Sequence, residues 1–220
     1  MLFRSPCLLV LIDFPDFNLH LAGCAKKRGI PVLYYISPQI WAWRSGRIHK
    51  IGRRVDHMAV ILPFEAAYYR KHGIAATFVG HPLMDGAPAV PGPEAYAERL
   101  ARPPVIGLLP GSRDGEIERL LPVLLDAAGI LRNRVPGVRF LVSRSPSVSP
   151  ARFSAVLARK GSLPDVEVVD GSLADLHRRA ALVVAASGTV TLETAIAGVP
   201  MVVVYRVSPL SYRLDRKSVV

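Results

Sequence analysis

Short runs of apolar and β-branched residues alternate along the chain with segments of helical periodicity, and no other feature restricts the fold as strongly. Nine of these runs are predicted strands: residues 8–12, 31–36, 57–62, 77–79, 105–109, 138–142, 166–169, 182–186 and 201–205. Nearly all are apolar at every position, which is typical of parallel strands covered by helices on both faces. The alternation therefore predicts an α/β chain of βαβ units in doubly wound, Rossmann-like parallel sheets.

A segment rich in Pro, Gly and Ala, MDGAPAVPGPEAYAERLARPP, separates the fourth and fifth predicted strands. This composition predicts a linker that ends in a short helix. We therefore expect an N-terminal domain over residues 1–84, a linker over 85–103 and a C-terminal domain over 104–220. Each half is short for a complete doubly wound sheet, so both Rossmann-like domains are expected to be incomplete.

Composition excludes several classes of protein. With 50% hydrophobic residues in 220, the chain has enough apolar surface to fold, and its two cysteines, Cys7 and Cys24, form no zinc or disulfide pattern. No apolar stretch reaches the roughly 18 residues of a membrane-spanning helix, so any membrane contact is expected to be peripheral. The formal net charge of +11 indicates an acidic partner: nucleic acid, an anionic lipid surface or a phosphorylated substrate.

Ligands of open parallel sheets bind at the carboxyl ends of the strands, so the residues after each strand are the first candidates for a site. After the first predicted strand come Asp13, Asp16 and Asn18. One interpretation is structural, with Asp16 capping the next helix and Asn18 bonding the turn. In the other, one of the two carboxylates is a general base in a cleft.

The loop after the second predicted strand contains both tryptophans of the chain and leads into a basic helix. Its candidate binding residues are Ser37, Trp41, Trp43, Arg44, Arg47, Lys50, Arg53 and Arg54. Such a set is typical either of a core tryptophan beside a solvated helix face, or of a surface that contacts lipid head groups, sugars or bases. His81, in the Gly-His-Pro segment after the fourth strand, either faces a cleft or is structural.

Two turns in the second half are suited to phosphate. The first holds Ser112 and Arg113 with Glu116 on the following helix, and the second holds Ser187, Gly188 and Thr189 with Glu193 one turn further on. Main-chain N–H groups at a helix start and an arginine bind phosphate, and a glutamate accepts hydrogen bonds from ribose hydroxyls. Ordinary helix caps would explain the same residues, because neither turn matches GxGxxG or the P-loop. The absence of GxSxG and HExxH patterns excludes serine-hydrolase and zinc-protease interpretations.

Six segments, taken in order, resemble one family. They are IDFPDFN, YYISPQIWAWRSGRIHKIGRRVDHM, LPFE, FVGHPLMD, LLPGSRDGEIERLLP and ASGTVTLETAIAGVPMVVVYRVSPLSY, from about residue 9 to residue 212. They resemble the lipid-A-disaccharide synthases, bacterial inverting glycosyltransferases of the GT-B fold, family 19. Members of that family begin with a further segment that has a Gly-rich loop, and they continue beyond the Tyr-Arg segment. The chain is therefore expected to be an internal fragment that lacks both ends and is poorly soluble by itself. A further interpretation is that the isolated fragment is inactive.

The resemblance implies transfer of 2,3-diacylglucosamine from UDP-2,3-diacylglucosamine to 2,3-diacylglucosamine 1-phosphate (lipid X), which gives lipid A disaccharide 1-phosphate and UDP. It implies Asp16 as the catalytic base, with Asp13 as the alternative and Asn18 orienting the acceptor or the base. Arg113 and the Ser187–Thr189 turn would stabilise the leaving UDP, Glu193 would hold the ribose and Glu116 would support the Arg113 turn. With these groups stabilising the leaving diphosphate, no metal and no cofactor are expected, and the absence of a DxD-type acidic pair beside these turns agrees with that.

The implied partners explain the positive charge, because both substrates are anionic amphiphiles. The resemblance implies a cytoplasmic protein, peripheral on the inner membrane, that docks through residues 41–54. It leaves a homodimer open for the full-length protein. Two alternatives remain: another GT-B enzyme acting on UDP-GlcNAc (an epimerase or the peptidoglycan glycosyltransferase), and a basic nucleic-acid-binding module. The chain has no zinc spacing and no recognition-helix pattern, so no nucleic-acid partner is expected.

Overall fold

The computed structural model describes residues 6–42, 44–87, 90, 92–159 and 166–206. All nine predicted strands are confirmed, with ends within two residues of those expected; they are β1 (Leu9–Ile12), β2 (Val32–Tyr35), β3 (His57–Val60), β4 (Ala76–Phe78), β5 (Val105–Leu109), β6 (Arg139–Arg144), β7 (Val166–Asp170), β8 (Leu182–Ala186) and β9 (Met201–Val204). The helices are α1 (Pro15–Lys26), α2 (Ile48–Gly52), α3 (Pro63–Lys71), α4 (Pro93–Ala101), α5 (Asp114–Arg134), α6 (Pro150–Arg159), α7 (Leu173–Arg179) and α8 (Thr189–Ile196). Short 3₁₀ helices span Ser45–Arg47 and Pro82–Met84.

The chain divides into two compact units, residues 1–86 and 87–220. The first has a four-stranded sheet of order β1-β2-β3-β4 and the second a five-stranded sheet of order β7-β6-β5-β8-β9. Every strand pair is parallel. Helix α4, expected within the linker, is bonded to the second unit: Tyr96 Oη donates to the carbonyl oxygen of Ala181 at 2.9 Å, and Arg99 Nη1 donates to that of Ala180 at 3.3 Å.

The first unit packs its helices on one face of its sheet. Alternate strand residues such as Val32 and Tyr34 point into a single apolar cluster with the inner faces of α1, α2 and α3. On β1, Val10 and Ile12 are exposed instead. The expected covering of both faces is therefore not found among the described residues of this unit.

The second unit has apolar clusters on both faces of its sheet, as predicted for a doubly wound arrangement. Ile106 and Leu108 pack with α5 and α6, whereas the alternate residue Leu109 packs with α7 on the other face. Gly107 explains the close approach of α7, because a Cβ at this position would lie 2.7 Å from Leu176 Cδ2. A larger residue in the centre of β5 would push α7 away.

The strand order of the second unit reverses beside β5. The chain runs outward through β6 and β7, then returns to pair β8 with the opposite side of β5. At such a reversal the two connections leave in opposite directions, which opens a crevice at the carboxyl ends of the strands. In the described part of the chain, no helix combines the length and apolarity needed to cross a membrane.

Candidate functional site

A cavity of about 560 Å³ lies at the strand-order reversal of the second unit. It gathers all seven nucleotide-site residues predicted from the sequence: Ser112, Arg113, Glu116, Ser187, Gly188, Thr189 and Glu193. The sequence analysis missed Ser143, Ser145, Gly171 and Ser172, which line the same cavity. These residues lie at or just beyond the ends of β6 and β7, so the strand-end rule, applied to every strand, would have found them.

Glu116 organises the turn after β5. Its Oε2 accepts hydrogen bonds from the main-chain N–H groups of Ser112, at 2.8 Å, and Arg113, at 3.2 Å, and its Oε1 accepts one from Arg113 Nη1 at 2.9 Å. Partial burial raises the pKa of the Glu116 carboxyl, but these bonds outweigh it and hold the pKa below its ordinary value. Gly111 (φ +116°) gives the carboxylate its space, since a Cβ there would lie 2.4 Å from Oε2.

This contact changes one expectation. The main-chain N–H groups of the turn, expected to bind phosphate, already bind the Glu116 carboxylate. The Arg113 side chain is 82% exposed, so its guanidinium can still reach an anion. Phosphate recognition at this turn is therefore left to side chains, and the charged one among them is an arginine that Glu116 holds by hydrogen bonds.

The start of α8 offers unpaired donors to the cavity. Within the described residues, the main-chain N–H groups of Gly188, Thr189 and Val190 have no acceptor, and the hydroxyls of Ser187 and Thr189 have no partner. A Cβ at Gly188 would meet nothing within 4 Å, so this glycine does not serve close packing. Glu193 lines the cavity from one turn further along the helix. An anion placed here would meet free donors and the positive end of a helix dipole.

The first unit concentrates backbone strain in the turns that follow β1 and β2. Among the described residues, four non-glycine residues have positive φ: Asp13 at 46°, Phe14 at 43°, Ile36 at 61° and Arg44 at 60°. Each such residue costs on the order of 1–3 kcal/mol and persists only where its surroundings fix it. Strain of this kind is concentrated at functional sites, which marks these two turns as a candidate site.

Side-chain hydrogen bonds hold the strained turn after β1. Asn18 Nδ2 donates to the carbonyl oxygens of Ile12, at 2.9 Å, and Asp13, at 2.7 Å, and Tyr34 Oη donates to the Asp13 carbonyl at 2.6 Å. Burial, followed by the negative charge of Asp13, raises the pKa of Tyr34 to about 12. Both amide hydrogens of Asn18 are used, so this residue fixes the backbone that carries the two carboxylates. Tyr34 is a positioning residue that the sequence analysis did not identify.

The two candidate bases have different surroundings. Asp16 is an ion-pair partner of two arginines: its Oδ1 lies 2.5 Å from Arg47 Nη2 and 3.9 Å from Arg44 Nη1. Asp13 is exposed and forms no side-chain hydrogen bond or ion pair with another described residue. The structure thus joins Asp16 to arginines that the sequence analysis had assigned to a separate surface.

A buried glutamate holds the loop after β2. Glu65 is 1% exposed, and its Oε1 accepts hydrogen bonds from Ser37 Oγ at 2.7 Å and Trp41 Nε1 at 3.1 Å. Its Oε2 accepts one from the main-chain N–H of Leu62 at the start of α3. Ser37 is therefore buried rather than presented to a ligand, and Glu65 was missed although a glutamate at the third position of a helix is a known capping signal. Trp43 lies outside the described residues.

The basic helix divides into solvent-facing and structural residues. Lys50 and Arg53 are exposed, whereas Arg54 is half-buried and its Nη1 donates to the carbonyl oxygen of Leu19 on α1 at 2.8 Å. The expected docking surface is therefore smaller than the run of basic residues indicated.

His81 is half-buried, and its Nδ1 accepts a hydrogen bond from the main-chain N–H of Leu83, which caps a 3₁₀ helix.

Solved structures with the same fold place the two sheets in a known class. The Staphylococcus aureus MnaA–UDP co-structure aligns with a TM-score of 0.60 at 11% identity, covering 96% of this chain and 60% of that one. At this identity the likeness concerns the fold alone. It agrees with the expected GT-B type of two incomplete Rossmann-like sheets.

Sequence comparisons are more specific. The model of the family described as lipid-A-disaccharide synthetase matches residues 1–219. The lipid-A-disaccharide synthase of Geobacter metallireducens is 48% identical over 217 residues, or 97% of this chain. That of Coxiella burnetii is 42% identical over 215 residues, or 96% of this chain. The chain spans 56% of the length of each of these relatives.

These matches extend across both units, through the strained turns of the first and the cavity of the second. They agree with the resemblance of the six segments and do not favour an epimerase. The family match shows, in agreement with the strand pattern and the cavity, that the chain belongs to the lipid-A-disaccharide synthase family.

Proposed function

We propose that a full-length protein carrying this chain is a lipid-A-disaccharide synthase. It transfers 2,3-diacylglucosamine from UDP-2,3-diacylglucosamine to 2,3-diacylglucosamine 1-phosphate and releases UDP. The observation that carries the proposal is the cavity of the second unit, which gathers the seven predicted donor-site residues at the strand-order reversal. Membership of the family supports the choice of substrates.

The donor site uses complementary groups at its two turns. The free N–H groups at the start of α8 and the exposed Arg113 guanidinium bind the diphosphate of the donor. Glu193 accepts hydrogen bonds from the ribose hydroxyls. Glu116 touches neither, and it acts by holding Arg113 in place.

The reaction is a single displacement at the anomeric carbon. The acceptor hydroxyl oxygen attacks this carbon while its proton passes to a carboxylate in the turn after β1 or in the first turn of α1. The bond from the anomeric carbon to the UDP oxygen breaks and its electron pair leaves with UDP. Arg113 and the start of α8 stabilise the negative charge that develops on the leaving diphosphate, and attack opposite the leaving group inverts the anomeric centre.

Asp16 is the proposed base, with Asp13 as the alternative. Asparagine at the position of the base removes the proton acceptor with little change of shape, so Asp16→Asn should lower kcat by about 10²- to 10⁴-fold in the full-length protein. Asp85→Asn, an exposed aspartate outside both turns, is the control. If Asp16→Asn retained most of the transfer rate and Asp13→Asn abolished it, the base would be Asp13.

Two measurements test the proposed UDP-sugar site. UDP should bind the chain by calorimetry, and Arg113→Gln should weaken this binding. In the full-length protein, UDP-2,3-diacylglucosamine should be turned over and soluble UDP-GlcNAc should not. Turnover of UDP-GlcNAc alone would instead support an epimerase or a peptidoglycan glycosyltransferase.

We also propose that the protein binds the anionic cytoplasmic face of the inner membrane through Lys50 and Arg53, which are exposed and form no ion pair with another described residue. Each cationic side chain near an anionic surface contributes about 1 kcal/mol. Lys50→Glu with Arg53→Glu should abolish co-sedimentation with vesicles containing phosphatidylglycerol. Lys27→Glu with Lys71→Glu, an equal charge reversal at other exposed lysines, is the control. Equal loss in both double variants would show that only the net charge matters.

A further inference from the structure

Asp16 and Arg47 form an ion pair whose two side chains differ in their exposure to solvent. The Asp16 side chain is 77% exposed and the Arg47 side chain only 23% exposed. Arg47 follows the loop after β2 at the end of a 3₁₀ helix, and the next residue, Ile48, is buried in the core of the unit. The Arg47 side chain is therefore the more confined partner, and the exposed Asp16 carboxylate is the one that can turn away.

The contact uses one of the N–H donors of Arg47. Arg47 Nη2 and, at longer range, Arg44 Nη1 both approach the single oxygen Oδ1 of Asp16. A guanidinium has five N–H donors in a planar fork that fits two oxygens of a phosphate at once. An exposed pair of this kind is worth at most about 1 kcal/mol, so a better anion would displace the carboxylate.

The backbone on the Asp16 side does not need to move for this exchange. Asn18 and Tyr34 bind the main-chain oxygen of Asp13, which fixes the turn from which α1 begins. Rotation of the Asp16 side chain alone would open the pair. The site therefore contains a largely buried arginine side chain and an exposed carboxylate that pairs with it in the absence of another anion.

We propose that Arg47, assisted by Arg44, binds the phosphate monoester of the acceptor, and that this phosphate displaces Asp16 and so frees it to act as the base. The inference rests on the proposed function for the identity of the acceptor and for the role of Asp16. Its new content is a subsite for a sugar phosphate and a coupling between the filling of that subsite and the release of the base. An acceptor without phosphate would leave Asp16 paired with Arg47.

The first test measures binding and does not depend on transfer. Glucosamine 1-phosphate, which lacks the acyl chains, is titrated into the chain by calorimetry. Arg47→Gln should abolish the binding, and Asp16→Asn should strengthen it by about fivefold, the equivalent of the roughly 1 kcal/mol of the competing pair. Lys27→Gln, which removes one exposed positive charge elsewhere, should not change it.

Three binding results would overturn the proposal. They are no binding to the unsubstituted chain, no gain on Asp16→Asn, and binding that survives Arg47→Gln but is lost on Arg113→Gln, which would place the phosphate in the second unit. A loss of unfolding free energy in Arg47→Gln without these changes in affinity would show a merely structural role.

The second test measures transfer in the full-length protein with two acceptors, 2,3-diacylglucosamine with and without its 1-phosphate. Inorganic phosphate should stimulate transfer to the acceptor that lacks phosphate, and Arg47→Gln should remove this stimulation while lowering kcat/KM for the phosphorylated acceptor at least tenfold. An equal loss with both acceptors would contradict the coupling. Transfer to neither acceptor by the unsubstituted protein would refute the proposed function. The titration with glucosamine 1-phosphate would still show whether the phosphate subsite exists.

Discussion

Glu116→Gln tests whether the turn after β5 depends on one carboxylate for its order. The glutamate accepts three hydrogen bonds from the turn, two from main-chain N–H groups and one from the Arg113 guanidinium. In the glutamine variant the amide oxygen can still accept the main-chain bonds. Its NH₂ group then faces the Arg113 N–H, donor against donor, so the contact that positions Arg113 is lost.

The magnitude follows from the strength of these bonds. A hydrogen bond to a charged group contributes about 1.5–3 kcal/mol and a neutral one about 0.5–1.5 kcal/mol, so removing the charge weakens the main-chain bonds by about 1 kcal/mol. The pair with Arg113 is exposed on the arginine side and adds at most about 1 kcal/mol. A total of about 1–2 kcal/mol corresponds to UDP binding about 5- to 30-fold weaker.

Calorimetric titration of UDP into the chain measures this loss. Glu118→Gln is the matched control, because Glu118 is on the same helix, lies outside the cavity and contacts Arg152 only at 3.5 Å. Gly111→Ala displaces the same carboxylate and should weaken UDP binding as well, without adding its full effect to Glu116→Gln. Unchanged affinity in Glu116→Gln, or full additivity with Gly111→Ala, would refute the proposed role of Glu116.

Three further predictions concern the stability of the two units. Asn18→Leu removes two of the three side-chain hydrogen bonds that hold the turn after β1 and should lower the free energy of unfolding by about 1–3 kcal/mol. Urea denaturation measures this loss, and an unchanged midpoint would contradict it. Burial lowers the pKa of His177 below 6.5, so its contribution to stability is complete above about pH 6.5 and is lost as the pH falls through the folded-state pKa. His177→Gln should flatten that part of the pH–stability curve, and an unaltered slope would exclude His177 as its source. Glu65→Gln places an N–H where a buried acceptor was needed and should cost about 1–3 kcal/mol. The tryptophan fluorescence, to which Trp41 and Trp43 both contribute, should shift, and an unshifted spectrum would contradict the prediction.

The fold could be predicted because its signals are local. Apolar runs, helical periodicity and the position of each strand in the chain identify nine parallel strands without reference to any distant contact. The same rule places Arg113 and Ser187 at strand ends, and the structure brings them to one cavity. The uncovered face of the first sheet was not predicted, since the residues of a strand do not reveal whether a helix packs against each side of it.

The site was predicted less completely because its contacts join segments that are far apart in the chain. No local pattern indicates that Arg47 reaches Asp16, or that Ser37 and Trp41 share the carboxylate of Glu65. Arg54 was assigned to a surface for the same reason, although its guanidinium binds the main chain of α1. A charged residue in a sequence shows that a partner is needed and does not identify the partner.

The late return of β8 to the side of β5 also sets an order of assembly. The cavity is built partly from the turn after β5 and partly from the turn after β8, and β8 follows β6, α6, β7 and α7 along the chain. A nucleotide that needs both turns can bind only after the central strand has gained its second neighbour. Bound at 100 times its dissociation constant, such a ligand stabilises the finished sheet by about 2.7 kcal/mol. UDP present during refolding would therefore slow the reopening of this unit. Slower hydrogen exchange of the β8 amides would show this effect.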